Sequence, residues 1–158
     1  MVNRKTKLNI AQALLMVCMV VFIIIMISSN SAGTVPVSEM DETIKTMEGI
    51  NELLKKDDMA VSRAFGYIPS EYLYYKSNDI MDVRELFIAK AADDDEMEQI
   101  ESAVRSRLDT QIENFTGYGT DQLEKLENAI LMKKGSYYFY AVGDEALLWQ
   151  SAFLKLVG

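Results

Sequence analysis

Apolar residues fall along this chain in three patterns, and each pattern predicts a different kind of element. From Ile10 to Ile27 they form one unbroken run. Between Met97 and Phe115 they recur every three or four residues, the period of one helix face. In "SEYLYYKS", "VRELFIAKA" and "KKGSYYFYAV" they come as short dense blocks rich in tyrosine, the mark of strands.

The first run, "LNIAQALLMVCMVVFIIIMI", holds 18 residues from Ile10 to Ile27 with no charge and only Gln12 polar. As a helix it would be roughly 27 Å long, about the thickness of a bilayer's hydrocarbon core. Arg4, Lys5 and Lys7 precede it and no base closes it, so the chain after about residue 30 is expected on the outer side of the membrane. A cleaved signal is the competing reading, because Ser29, Ser31, Ala32 and Gly33 could serve a peptidase. Cys18 follows Val17 in mid-run, which does not suit a lipidation site; it reads as a small hydrophobe. The expected organisation is a basic cytoplasmic flank over 1–9, an anchor over 10–27, a linker over 28–38 and a folded domain over 39–158. "SSNSAGTVPVS", with Gly33 and Pro36, has the composition of that linker.

Beyond the linker, Ser38 with Asp41 is the expected start of a first helix, with Ile44, Met47, Ile50, Leu53 and Leu54 on its buried face. A second helix spans Asp58 to Phe65 and stops at Gly66. "SEYLYYKS" and "VRELFIAKA" pair as a hairpin. In "ADDDEMEQIE" the acids run straight into Met97, Ile100, Val104, Leu108, Ile112 and Phe115, spaced 3, 4, 4, 4 and 3. Carboxylates at a helix N-terminus favour its dipole, and Asp95 with Glu98 resembles a capping box. A calcium loop needs alternating oxygen ligands and a glycine, and this run has neither. Asp121–Asn128 reads as a helical turn and Ala129–Lys134 as a strand. Gly135–Ser136 turns into the strand "YYFYAV". A last helix opens after Gly143–Asp144, with Ala146, Leu147, Trp149, Ala152, Phe153, Leu156 and Val157 as its buried face. Grouped hairpins without regular alternation predict an α+β fold, an N-terminal transmembrane helix followed by an antiparallel sheet of about four strands in two hairpins, with helices packed on one face.

Charge and composition narrow the chemistry. From Glu39 onward the chain has 24 acidic and 13 basic residues, a net charge of −11. Such a surface repels nucleic acid. The chain has no histidine and one cysteine, which removes the commonest general base, the commonest transition-metal ligand and any disulfide pair. No serine carries a lysine at a telling spacing, and no carboxylate pair stands out among so many acids. No catalytic residue, cofactor or metal site is therefore expected.

"RAFGYIPSEY" before the first strand, "VRELFIAKA" running into the acid-capped helix, and "DQLEKLENAILMKKGSYYFYAVG" before a terminal helix form an ordered set. In this set, over roughly residues 40 to 157, the chain resembles a family of small exported bacterial proteins, domain of unknown function 4358. The resemblance implies an envelope-attached domain and brings no catalytic residues with it. Many relatives look like lipoproteins, and the lack of a lipobox here departs from them.

All eight tyrosines lie between Tyr67 and Tyr140, six of them in or beside the expected strands. Tyrosine is a good strand residue in any case, but one alternate set could face outward and bind a glycan or an envelope protein. Tyr74 and Tyr138 are the expected exposed members. The expected function is a non-catalytic binding module at the cell envelope, whose lipid partner is the bilayer around 10–27. A wall-directed enzyme using paired carboxylates and a purely structural spacer are the alternatives.

Overall fold

The computed structural model describes residues 12, 15–21, 35–117 and 119–158. The chain divides into two compact units, Met1–Ser31 and Ala32–Gly158. In the first, residues 15–21 are helical and their apolar side chains are exposed. Among the described residues no helix is long and apolar enough to cross a membrane. Most of the expected anchor, its basic flank and most of the linker lie outside the described residues.

The second unit is an α+β fold. Its elements are α1 (Val37–Ile44), β1 (Leu54–Lys55), α2 (Asp58–Phe65), β2 (Glu71–Lys76), β3 (Glu85–Lys90), α3 (Asp94–Phe115), α4 (Thr120–Glu127), β4 (Ile130–Lys134), β5 (Tyr137–Val142) and α5 (Ala146–Val157). All five strands pair antiparallel in the order β1-β2-β3-β5-β4. The two expected hairpins, β2–β3 and β4–β5, join through the β3–β5 pair, where Phe87 lies opposite Tyr140.

Helices cover both faces of the sheet, where one covered face was expected. On one face α1 and α5 bury Val37, Met40, Ile44, Trp149 and Phe153 against Leu73, Leu86, Ile88 and Phe139. On the other, α2, α3 and α4 bury Val61, Phe65, Ile100, Val104 and Leu126 against Tyr74, Phe87, Tyr138 and Tyr140. A strand covered on both sides needs no polar alternation. That is why "YYFYAV" is buried at every position and why all of "ELFIA" is buried as well. The same covering corrects the tyrosine expectation: Tyr74 is 1% exposed and Tyr138 2%, so neither belongs to a surface patch. The strand tyrosines split between the two cores instead, Tyr75 and Tyr137 in one and Tyr74, Tyr138 and Tyr140 in the other.

The first helix is shorter than its apolar spacing suggested. It ends at Ile44, and Gly49, at φ 79°, turns the chain into a 3-10 turn at Ile50–Glu52. A Cβ on Gly49 would come within 3.0 Å of Glu145 and 3.2 Å of Trp149, so that turn also seats α5. Leu53 enters the core, whereas Leu54 starts the unexpected fifth strand, β1, and is exposed. Helix α1 begins after Pro36 with no side-chain cap, and Asp41 accepts from Tyr75 (2.7 Å) and pairs with Lys55. Val35 and Val37, assigned above to the linker, are tied into the fold. The Tyr137 hydroxyl donates to the Val35 carbonyl, and the Val37 N–H donates to Glu71.

The acidic run is a helix N-terminus, but its members divide the work differently from the expected Asp95–Glu98 pair. Asp93 is the cap and accepts from the Glu96 N–H at 2.8 Å. Glu96 turns back and accepts from the Ala92 N–H, the Ser70 N–H, the Ser70 hydroxyl and the Tyr67 hydroxyl at 2.6–2.9 Å. Burial pushes this carboxyl up, but the four donors outweigh it and bring it down to about 2. The side chain thereby pins the segment after α2 to the start of α3. In α5 the expected buried face holds for Ala146, Trp149, Phe153 and Val157, whereas Leu147 is 69% exposed.

Candidate anion-binding pocket above a buried charge cluster

One carboxylate interrupts the apolar packing on the α2–α4 face. Glu85, the first residue of β3, is 0% exposed. In register it lies opposite Lys76 on β2 and Val142 on β5. Side chains two residues apart on a strand share a face, so Tyr74 and Tyr140 flank it diagonally on the two neighbouring strands. The Tyr74 hydroxyl donates to Glu85 Oε2 at 2.7 Å and the Tyr140 hydroxyl to Oε1 at 2.8 Å. Arg107, descending from α3, donates through Nε to Oε1 at 3.2 Å and through Nη2 to Oε2 at 3.0 Å. Lys76 Nζ stands 3.7 Å away.

Protonation follows from this geometry. Burial alone would push the Glu85 carboxyl up, but Arg107, then Lys76 and the hydrogen bonds, hold it below its ordinary value. Burial pulls Lys76 down, against the attraction of Glu85. Burial and then the Glu85 charge push the Tyr74 hydroxyl far up, and Tyr140 likewise, so both remain donors. With Glu85 ionised and Arg107 and Lys76 protonated, the cluster carries a net charge of +1.

A concavity of about 320 Å³ opens over this cluster, lined by Lys56, Ala60, Arg63, Ala64, Lys76 and Arg107 and, from the loop after β2, by Asn78, Asp79 and Ile80. Four of the domain's 13 basic residues line this one pocket, against one of its 24 acids, Asp79. Helix α2 supplies one wall because Ala60, Arg63 and Ala64 fall at i, i+3 and i+4 on one face. Its acidic start forms no ion pair with the pocket's cations among the described residues. Asp57 is spent on the helix cap, accepting from the Ala60 N–H, and Asp58 accepts from the Tyr72 hydroxyl. Among the described residues Lys56 meets only Asn78 Oδ1 (3.5 Å), and Arg63 only the Met59 sulfur (3.1 Å). Arg107 Nη1 has no acceptor among them. The pocket therefore gathers four cations, of which Lys56 and Arg63 have no ion-pair partner among the described residues, in a domain that is otherwise strongly negative.

Of the two tyrosines expected to form a binding surface, Tyr74 reaches this site from below as a buried hydroxyl donor that also lines the pocket. Tyr138 packs in the core away from it. Lys56, Arg63, Lys76, Glu85 and Arg107 were not foreseen. Two signals pointed to the last pair: Glu85 heads a block that is otherwise apolar, and Arg107 lies on the buried stripe of α3, three residues after Val104.

A family model, domain of unknown function DUF4358, matches residues 48–143. The chain belongs to the DUF4358 family. No curated protein and no solved structure matches it. The DUF4358 match spans the whole sheet and α2 to α4, and with them every residue of the charge cluster and pocket. Helices α1 and α5 lie outside it, although they cover one entire face of the sheet.

Proposed function

We propose that this DUF4358 protein is a non-catalytic binding module of the bacterial cell envelope, held by its N-terminal segment in a membrane with the folded domain on the outer side. On this reading it captures an anionic group in the pocket formed by Lys56, Arg63, Lys76 and Arg107. The observation that carries the binding role is the gathering of four cations over a fully buried carboxylate that engages only two of them. Burying a charge cluster is a poor route to stability, and a hydrophobic replacement of similar shape is often as good or better. A cluster that opens on a cationic pocket has a use beyond the fold. Anchoring draws support from the chargeless run over 10–27, from its basic flank, and from the exposed apolar side chains of residues 15–21. Asp79 is the one acid in the pocket lining, which does not favour a paired-carboxylate hydrolase there.

Two measurements test the reading on the full-length chain. Alkaline carbonate should leave it in the membrane pellet, and protease added to spheroplasts should degrade the region after residue 38. For the pocket, inorganic phosphate titrated into the chain in zwitterionic lipid nanodiscs should give saturable NMR shifts at Lys56, Arg63 and Arg107. A Lys56→Ala, Arg63→Ala double variant should lose them. Release by carbonate would remove the anchor, and unsaturable or variant-independent shifts would remove the anion site.

A further inference from the structure

The mouth of the pocket carries a second kind of surface. Ile80 lines it at 88% exposure, and Met81 beside it is exposed as well. On α2, Met59 is also exposed, its sulfur 3.1 Å from Nη2 of Arg63, which lines the pocket. Single exposed apolar side chains are ordinary on a protein surface. Here Ile80 lines a cationic pocket, and Met81 and Met59 adjoin lining residues, the first in sequence and the second through Arg63.

The loop holds its apolar residues outward by its own hydrogen bonds. The Asp79 N–H donates to Ser77 Oγ (3.2 Å) and the Met81 N–H to Asp79 Oδ1 (2.9 Å). The Asp82 N–H donates to the Asp79 carbonyl (3.2 Å), and Asp82 accepts from both the Arg84 N–H and its guanidinium. These asx-type turns fix the backbone around Ile80. Below the lip, Ala60 and Ala64 give an uncharged wall, and Arg107 with Lys76 gives a charged floor. At about 320 Å³ the space lies at the small end for ligand sites, enough for a compact head and a few carbons. An extended polyanion would also have to lie across the surrounding acidic surface.

Resting on the anion-pocket reading, we infer that the ligand is an amphiphilic anion: a phosphate or carboxylate head on Arg107, Lys76 and Lys56, with an apolar arm leaving between Ala60, Ala64 and Ile80. A lipid headgroup and a soluble organic acid both carry this chemistry.

The test uses the full-length chain in phosphatidylcholine nanodiscs, titrated with inorganic phosphate, hexyl phosphate and hexyltrimethylammonium. Hexyl phosphate should bind at least about tenfold more tightly than inorganic phosphate, the gain from burying two methylenes. Ile80→Ser should cut that gain to below about threefold. Equal affinity for the two phosphates would overturn the amphiphile and leave the anion pocket standing. No saturable binding of either, or equal binding of the ammonium, would overturn both. Replacing part of the lipid by phosphatidylglycerol separates the sources. Shifts at Lys56 and Arg63 without added ligand support a headgroup, and their absence with hexyl phosphate binding intact supports a soluble acid.

Discussion

The two faces of the sheet are built on opposite terms. Beneath α1 and α5 the packing is aromatic and aliphatic: Phe153 meets Phe139 at 5.1 Å and Tyr137 at 6.1 Å, and Trp149 is fully buried. Its polar atoms bond at the margins, Trp149 Nε1 donating to the Glu48 carbonyl at 2.8 Å and the Tyr75 hydroxyl to Asp41 at 2.7 Å. Beneath α2 and α3 the packing is also aromatic, with Phe65 stacked on Phe87 at 4.3 Å, but it encloses an ionised carboxylate and opens on a cationic pocket. The first face is what a domain needs to fold. The second accepts a desolvation cost, and the return is a pocket whose positive charge is held in place by a rigid sheet and a long helix.

That contrast can be broken most forcefully from the apolar side. Trp149→Ala should cost about 3–5 kcal/mol, towards the upper end because the Glu48 carbonyl also loses its donor. Urea unfolding should show it, with pocket shifts retained in whatever fraction stays folded. Next, Arg107→Met should cost about 3–4 kcal/mol, because Glu85 keeps Lys76 and two hydroxyls but loses its main counter-charge. Adding Glu85→Gln should recover most of that loss. If the double variant is no more stable than Arg107→Met alone, the charge cluster is a stability device and the contrast fails. The smallest effect belongs to Glu96→Gln, about 2 kcal/mol for the loss of charged acceptor bonds. Because the folded Glu96 carboxyl sits near 2, below its unfolded value, its contribution is complete above about pH 4.3 and is lost as pH falls towards 2. The wild-type advantage over Glu96→Gln should therefore shrink with acid across that window.

Much of the fold was legible from local pattern. The α3 stripe, the Gly66 stop and the Gly135–Ser136 turn each rest on neighbouring residues, and each stands where expected. Three things were not legible for the same reason: they depend on distant partners. Continuous apolar strands report burial but not what covers each side, so the second helical layer was missed. The spacing of Ile44, Met47, Ile50, Leu53 and Leu54 fits a helix, yet the helix stops at Ile44 and Gly49, close to Trp149 a hundred residues on, turns the chain into a 3-10 turn. The pocket joins Lys56, Arg63, Lys76 and Arg107 from four separate stretches, and no spacing in the chain announces that they meet.

The helices over the apolar face come from opposite ends of the folded unit, Val37–Ile44 and Ala146–Val157. During synthesis, Leu73, Leu86, Ile88 and Phe139 therefore stay only partly covered, by Val37–Ile44, until Ala146–Val157 emerges. A premature stop after residue 145 would release a chain with a half-covered greasy sheet, a substrate for quality-control proteases rather than a shortened but working protein.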